Sequence, residues 1–99
     1  MIRFIRSVRV QPGKQREAAQ WAQEVAQQVS RVSGTDAQVF TEVFGDSGTL
    51  YWVTQYQDFA TLLQVMEQMT QDQQLQDAVT RGADLLVGGT LRDRVLRSL

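Results

Sequence analysis

Residues 2–14 read Ile-Arg-Phe-Ile-Arg-Ser-Val-Arg-Val-Gln-Pro-Gly-Lys, and immediately afterwards the rhythm of the chain changes. A strand turns successive side chains to opposite faces, so Ile2, Phe4, Arg6, Val8 and Val10 share one face. Arg3, Ile5, Ser7 and Arg9 share the other, and because neither face is purely polar, both are expected to be partly covered. Pro12-Gly13 stops the strand. From Lys14 to about Val32, Ala18, Trp21, Ala22, Val25, Val29 and Val32 recur at spacings of three and four, the single apolar stripe of an amphipathic helix. Gly34 follows where a left-handed C-terminal cap belongs.

Downstream, Gln38–Phe44 and Thr49–Tyr56 are rich in β-branched and aromatic residues, with Gly45-Asp46-Ser47-Gly48 between them, the pattern of a β-hairpin. Asp58 is placed to cap a helix carrying Phe59, Leu62, Leu63, Met66 and Met69. Asp72-Gln73-Gln74 interrupts that helix. A second helical stretch carries Leu75, Ala78 and Val79 and is expected to continue through Leu85-Leu86 to Gly88-Gly89. Thr90–Leu96 alternates as a last strand. With right-handed crossovers, the order βαββαβ predicts an α+β, ferredoxin-like fold with a four-stranded antiparallel sheet in the order 4-1-3-2 and a split or extended second helical region. No linker or repeat divides residues 1–99, so a single domain is expected.

The chain has 99 residues, 42% hydrophobic and 21% charged, enough for one modest core. It contains no Cys, no His and no Asn. Disulfide scaffolds, thiolate nucleophiles, Cys/His zinc sites and His-based triads are thereby excluded. Gly45-Asp46-Ser47-Gly48 resembles the surroundings of a protease nucleophile but has no His to serve as base, so it reads as a turn. The N-terminal segment lacks a signal peptide's apolar run, and no stretch is long enough to span a bilayer. A cytoplasmic location without membrane association is expected. The net charge of -1 hides a pattern: residues 1–16 carry five basic groups and no acid, residues 17–89 balance at -8, and residues 90–99 at +2. The predicted topology makes the first and last strands neighbours, which brings six arginines onto two adjacent strands.

The strand with Arg6-Ser7-Val8, the sequence Val10-Gln11-Pro12-Gly13-Lys14 leading into a helix, the strand Tyr51-Trp52-Val53, and Tyr56, Asp58 and Phe59 at a helix start together resemble the dimeric α+β barrel superfamily. The likeness is to its antibiotic-biosynthesis-monooxygenase-like and NIPSNAP-like members and covers essentially the whole chain. It implies that two chains pair their sheets face to face. The residues argue the same way: Phe40 and Phe44 oppose Val39 and Val43 on one strand, Trp52 and Tyr56 oppose Tyr51 and Val53 on the next, and exposing the apolar groups of either face would leave a large apolar patch.

Arg6 stands alone on an apolar strand face. A guanidinium there needs a partner, and Glu42 and Asp93 are the strand-borne acids within reach of it. The plainer reading is an ion pair or interface clamp; the functional reading is an anchor for an anion or carbonyl group. Trp52 and Tyr56 share a face, with Tyr51 opposite and Trp21 on the first helix. Such aromatics form core or interface, or else line a pocket for a flat apolar ligand. The candidate pocket is therefore Arg6, Glu42, Trp52, Tyr56 and Asp93. Nucleic-acid binding is not expected: Thr49–Tyr56 lacks the basic residue and glycine of an RNA-recognition strand, and the helices are acidic.

Function divides between two readings. One is a homodimeric small-molecule-binding or interaction module without cofactor or metal. The other, implied by the resemblance, is a cofactor-independent monooxygenase acting on an aromatic polyketide-like compound, with Arg6 and Trp52 or Tyr56 stabilising a phenolate or enolate. The lack of His and Asn argues against the superfamily's haem-degrading and haem-binding chlorite-dismutase branches. No acid–base constellation is visible, so catalysis stays open.

Overall fold

The alternation of residues 2–9 becomes β1 (Ile2–Arg9) in the computed structural model, which describes residues 1–99. α1 (Gln15–Ser33) follows, and Gly34 closes it with φ +71° and its N–H donated to the Ser30 carbonyl. β2 (Gln38–Thr41) and β3 (Thr49–Tyr56) form the hairpin. α2 (Phe59–Gln71) is capped by Asp58, whose carboxylate accepts from Thr61 N–H at 2.8 Å. α3 (Gln73–Arg81) and β4 (Arg92–Arg97) complete the chain.

The sheet runs β2-β3-β1-β4 and every adjacent pair is antiparallel, the predicted 4-1-3-2 order read from the other edge. The helices lie on one face. Ile2, Phe4 and Val8 of β1 are buried beneath them, with Leu50, Trp52, Thr54 and Tyr56 of β3. The opposite face is bare, so the expectation that both faces are covered holds for one face only within a single chain.

Three element boundaries differ from those read in the sequence. β2 ends at Thr41, and Val43 and Phe44 project from the hairpin, Phe44 91% exposed. The second helical region breaks at Asp72 as expected, but α3 stops at Arg81 rather than at Gly88-Gly89. The reason is close packing: a Cβ at Gly82 would fall inside the space of the Trp21 ring, so glycine alone lets the chain pass there. A short 3-10 turn over Ala83–Leu85 then feeds the chain along the end of β1, where Gln11 N–H donates to the Leu85 carbonyl at 2.9 Å and Val87 N–H to the Arg9 carbonyl at 2.9 Å. That pairing delays β4 to Arg92.

The core falls into two clusters. Eleven buried residues gather around Trp21 and Trp52 between α1, α3 and the sheet, and five, Ile2, Phe4, Tyr56, Leu62 and Val65, lie under α2. Burying each large apolar side chain contributes roughly 1.5–3 kcal/mol. Met69 packs against both clusters.

Candidate functional site

Strand register sets the site. Arg6 on β1 pairs across to Trp52 on β3 and to Asp93 on β4, so all three side chains emerge on the helix-bearing face. The Arg6 guanidinium holds Asp93 bidentately, Nε to Oδ1 at 2.7 Å and Nη2 to Oδ2 at 2.8 Å. Hydrogen bonding to Asp93 raises the Arg6 pKa above its ordinary value, against the opposing effect of burial. The guanidinium carbon also lies 5.5 Å from the centre of the Phe4 ring, a cation–π contact. The pair is only half sheltered, with side chains 39% and 37% exposed, because no helix covers β4.

Beside this pair, a cavity of about 260 Å³ separates sheet from helices. Its walls come from both core clusters: Phe4, Tyr56 and Met66 on one side, Val8, Trp21 and Trp52 on the other. It is the gap left where the two clusters meet. Arg6 and the exposed Leu91 stand among its lining residues.

The two indoles fix the cavity's shape. Trp52 Nε1 donates to the Ala22 carbonyl at 3.0 Å and ties β3 to α1; Trp21 Nε1 donates to the Ala78 carbonyl at 2.7 Å and ties α1 to α3. Their rings meet edge to face with centroids 5.5 Å apart. Every polar atom of these indoles is therefore satisfied by the protein itself. Two other polar atoms are not. The Thr54 hydroxyl and the Tyr56 phenol are buried without a hydrogen-bond partner, and both residues line the cavity.

The helical wall is held by Asp72, at the break between α2 and α3. Its carboxylate accepts from Leu75 N–H at 2.9 Å and from Arg31 Nη2 of α1 at 2.6 Å. The Arg31 hydrogen bond, with that of the Leu75 amide, lowers the Asp72 pKa. At the interruption read from Asp72-Gln73-Gln74, Asp72 thus caps α3 and bridges it to α1.

Of the five residues in the candidate pocket, Arg6, Trp52, Tyr56 and Asp93 emerge on one face. Glu42 does not join them. It follows Thr41 on the bare side of the hairpin, where its carboxylate accepts from the Tyr51 phenol and the Asp46 N–H. The Tyr51 hydrogen bond lowers the Glu42 pKa, and the same bond raises that of Tyr51. The physical reason is parity: Glu42 follows Phe40 by two residues, and Phe40 faces Tyr51, not Trp52. Thr54 was missed, although the signal was present, since it lies between Trp52 and Tyr56 at the same two-residue spacing.

The bare face carries Ile5, Ser7, Phe40, Tyr51, Val53 and Arg94 around a shallow groove of about 300 Å³. Phe40 is 49% exposed. Register places Arg3, Arg92 and Arg94 on this face along β1 and β4, none of them in an ion pair.

With this geometry in hand, comparison with known proteins gives a consistent result. A family model described as NIPSNAP matches residues 4–98. Among solved structures, a NIPSNAP domain protein of uncharacterised function from Burkholderia xenovorans superposes with a TM-score of 0.86 at 19% identity, covering 100% of this chain and 95% of that one. A NIPSNAP family protein from Agrobacterium tumefaciens gives 0.83 at 18% identity, covering 99% and 92%. A candidate antibiotic biosynthesis monooxygenase from Nitrosomonas europaea gives 0.73 at 12% identity, covering 100% and 99%. At these identities the superpositions establish the fold alone. No curated protein matches the chain. The chain belongs to the NIPSNAP family.

Proposed function

We propose that this NIPSNAP family member is a homodimer closed through its bare sheet face, each subunit binding a small, largely apolar ligand between its sheet and its helices. The observation that carries the ligand reading is the cavity of about 260 Å³ between the two core clusters, walled by Trp52 and Tyr56 with Arg6 among its lining. The cavity opens to solvent beside the exposed Val79 and Leu91, and most of its lining is apolar, as ligand clefts are. A cavity of about 150 Å³ already admits benzene, so this one has room for two fused rings. Titration with naphthalene, followed by the indole N–H signals of Trp21 and Trp52, is expected to shift both. Unmoved signals at saturating naphthalene would reject the ligand reading.

The dimer reading is supported by the bare face. Phe40, Ile5, Tyr51 and Val53 form a contiguous apolar strip with Arg3, Arg92 and Arg94 toward β4 and Glu42 toward β2. A two-fold axis parallel to the strands would bring the arginine-bearing edge of one copy over Glu42 of the other, the self-complementarity that an isologous interface requires. Light scattering at micromolar concentration is expected to give twice the chain mass, and Phe40→Asp to give the single-chain mass with its helical content intact. A single-chain mass for the unaltered protein would remove the dimer.

Binding is favoured over the monooxygenase alternative, oxidation of an aromatic polyketide-like compound, by one observation. Arg6, the group that would steady a phenolate or enolate, already spends its charge on both oxygens of Asp93. Oxygen uptake with an anthrone-like substrate, lost in Arg6→Ala, would reverse that preference.

A further inference from the structure

The chain leaves two buried hydroxyls without partners, and both lie in the wall of the same cavity. Thr54 and Tyr56 are each 4% exposed, two residues apart on β3, and neither the Thr54 Oγ1 nor the Tyr56 phenol oxygen has a hydrogen-bond partner. Buried polar atoms are nearly always satisfied, because an unpaired one forfeits its hydration with nothing in return. The neighbouring polar groups of the same site obey that rule: both indole N–H groups reach helix carbonyls, and Arg6 reaches Asp93. The exception is confined to two adjacent positions on one strand face. A Val and a Phe of nearly the same shape would fill them without that cost.

Building on the cavity as a ligand site, we infer that Thr54 and Tyr56 are its specificity-determining residues, and that the ligand is an uncharged, two-ring-sized apolar molecule bearing a hydroxyl or carbonyl oxygen read by those two hydroxyls. A hydroxyl both donates and accepts, so a neutral oxygen satisfies the pair in either sense. A carboxylate is disfavoured. The only cation lining the cavity is Arg6, and Asp93 occupies its bidentate edge. An anion entering there would face the Asp93 carboxylate and lose its own hydration. The two hydroxyl oxygens are shielded from solvent, and Met66 and Met69, which pack against the cluster containing Tyr56, line the same cavity. Methionine is unbranched and adaptable, so these side chains give way as the ligand's oxygen seats.

The test compares naphthalene, 1-naphthol and 1-naphthoate on the full chain at neutral pH, by calorimetry and by the Trp52 indole signal. 1-Naphthol is expected to bind about tenfold more tightly than naphthalene, the effect of one well-made hydrogen bond, and 1-naphthoate more weakly than 1-naphthol. In the double variant Thr54→Val, Tyr56→Phe the preference for 1-naphthol is expected to vanish while naphthalene binding persists. Its melting temperature should equal or exceed that of the unaltered protein, because two unsatisfied groups have been removed. A purely structural role for these hydroxyls predicts the opposite: a lower melting temperature and no change in ligand preference. Equal binding of naphthalene and 1-naphthol to the unaltered protein would overturn the inference and leave the cavity reading standing. Preference for 1-naphthoate would also overturn it, assigning the oxygen to Arg6. Failure of all three compounds to bind would remove the cavity reading itself.

Discussion

Tyr51 and Trp52 are neighbours on one strand, both large aromatics, and they live in different environments. Trp52 is buried beneath α1, with its ring against Trp21 and its N–H on a helix carbonyl. Tyr51 is on the bare face, its phenol held by Glu42 at the rim of an open groove. The same contrast runs along β1, where Phe4 and Val8 are buried and Ile5 is only half covered. One face of the sheet is finished within the chain; the other is left open by it. Apolar content alone does not separate the two, because period two distributes large residues to both faces.

The sharpest test of that contrast exchanges each aromatic for alanine. Trp52→Ala empties a packed position and orphans the Ala22 carbonyl it satisfied, and is expected to cost about 3–5 kcal/mol of subunit stability. Tyr51→Ala should cost under about 1 kcal/mol when the protein is diluted to single chains, and act instead on association. Denaturant melts at two protein concentrations read both effects. A Tyr51→Ala loss as large as that of Trp52→Ala in the diluted protein would mean that the bare face supports the subunit fold.

Gly82→Ala comes next. The added methyl must displace the Trp21 ring, and with it the bond from Trp21 to the Ala78 carbonyl that ties α1 to α3. Overpacking of this kind costs about 1–3 kcal/mol. The variant should loosen only the covered face, visible as a shifted Trp21 indole signal with the mass in solution unchanged. A changed mass in solution would mean that the two faces are mechanically coupled.

How far these features could be read from the sequence depends on how local their causes are. The α1 stripe, the Gly34 and Asp58 caps and the parity of β1 and β3 follow from residues a few positions apart, and the structure reproduces them. Strand order followed as well, because few connections suit two βαβ-like halves. The end of α3 did not. It is set by Trp21, about sixty residues away in the chain, pressing on Gly82, and local sequence offers Gly88-Gly89 as the better stop. Arg6 needed an acid, and the sequence offered Glu42 and Asp93; only the register, Arg6 opposite Asp93 and Phe40 opposite Tyr51, separates them. The unpartnered hydroxyls are illegible in principle, since a missing partner is a property of the packed interior.

A smaller effect is expected where the covered face stays open to water. Asp93→Asn removes the charge that Arg6 grips and leaves the guanidinium over the Phe4 ring. For a bidentate but half-exposed pair the loss should be about 1 kcal/mol. Salt titration checks the assignment: the difference between variant and parent should shrink as ionic strength rises. A difference that salt leaves unchanged would place the pair's value in packing, not in charge.

The smallest effect separates the two faces by pH. Among the carboxylates with a lowered pKa, Asp72 belongs to the helical layer, where Arg31 holds it, and Glu42 to the bare face, where Tyr51 holds it. A pKa lowered on folding means that the folded state prefers the ionised group. Its stabilisation is fully present above the unfolded pKa and is lost as pH falls through the folded one. Both carboxylates therefore contribute at neutral pH and cease to do so in acid, but they should report on different equilibria. Asp72→Asn should lower the melting temperature at neutral pH and flatten its acid decline, because the Arg31 bridge and the cap on α3 belong to the subunit. Glu42→Gln should leave that decline in place and change the acid dependence of the proposed dimer's dissociation. If Glu42→Gln flattened the melting curve of the isolated subunit as Asp72→Asn does, the bare face would be contributing to the stability of a single chain, and the division between a face finished within the chain and one left open by it would fail.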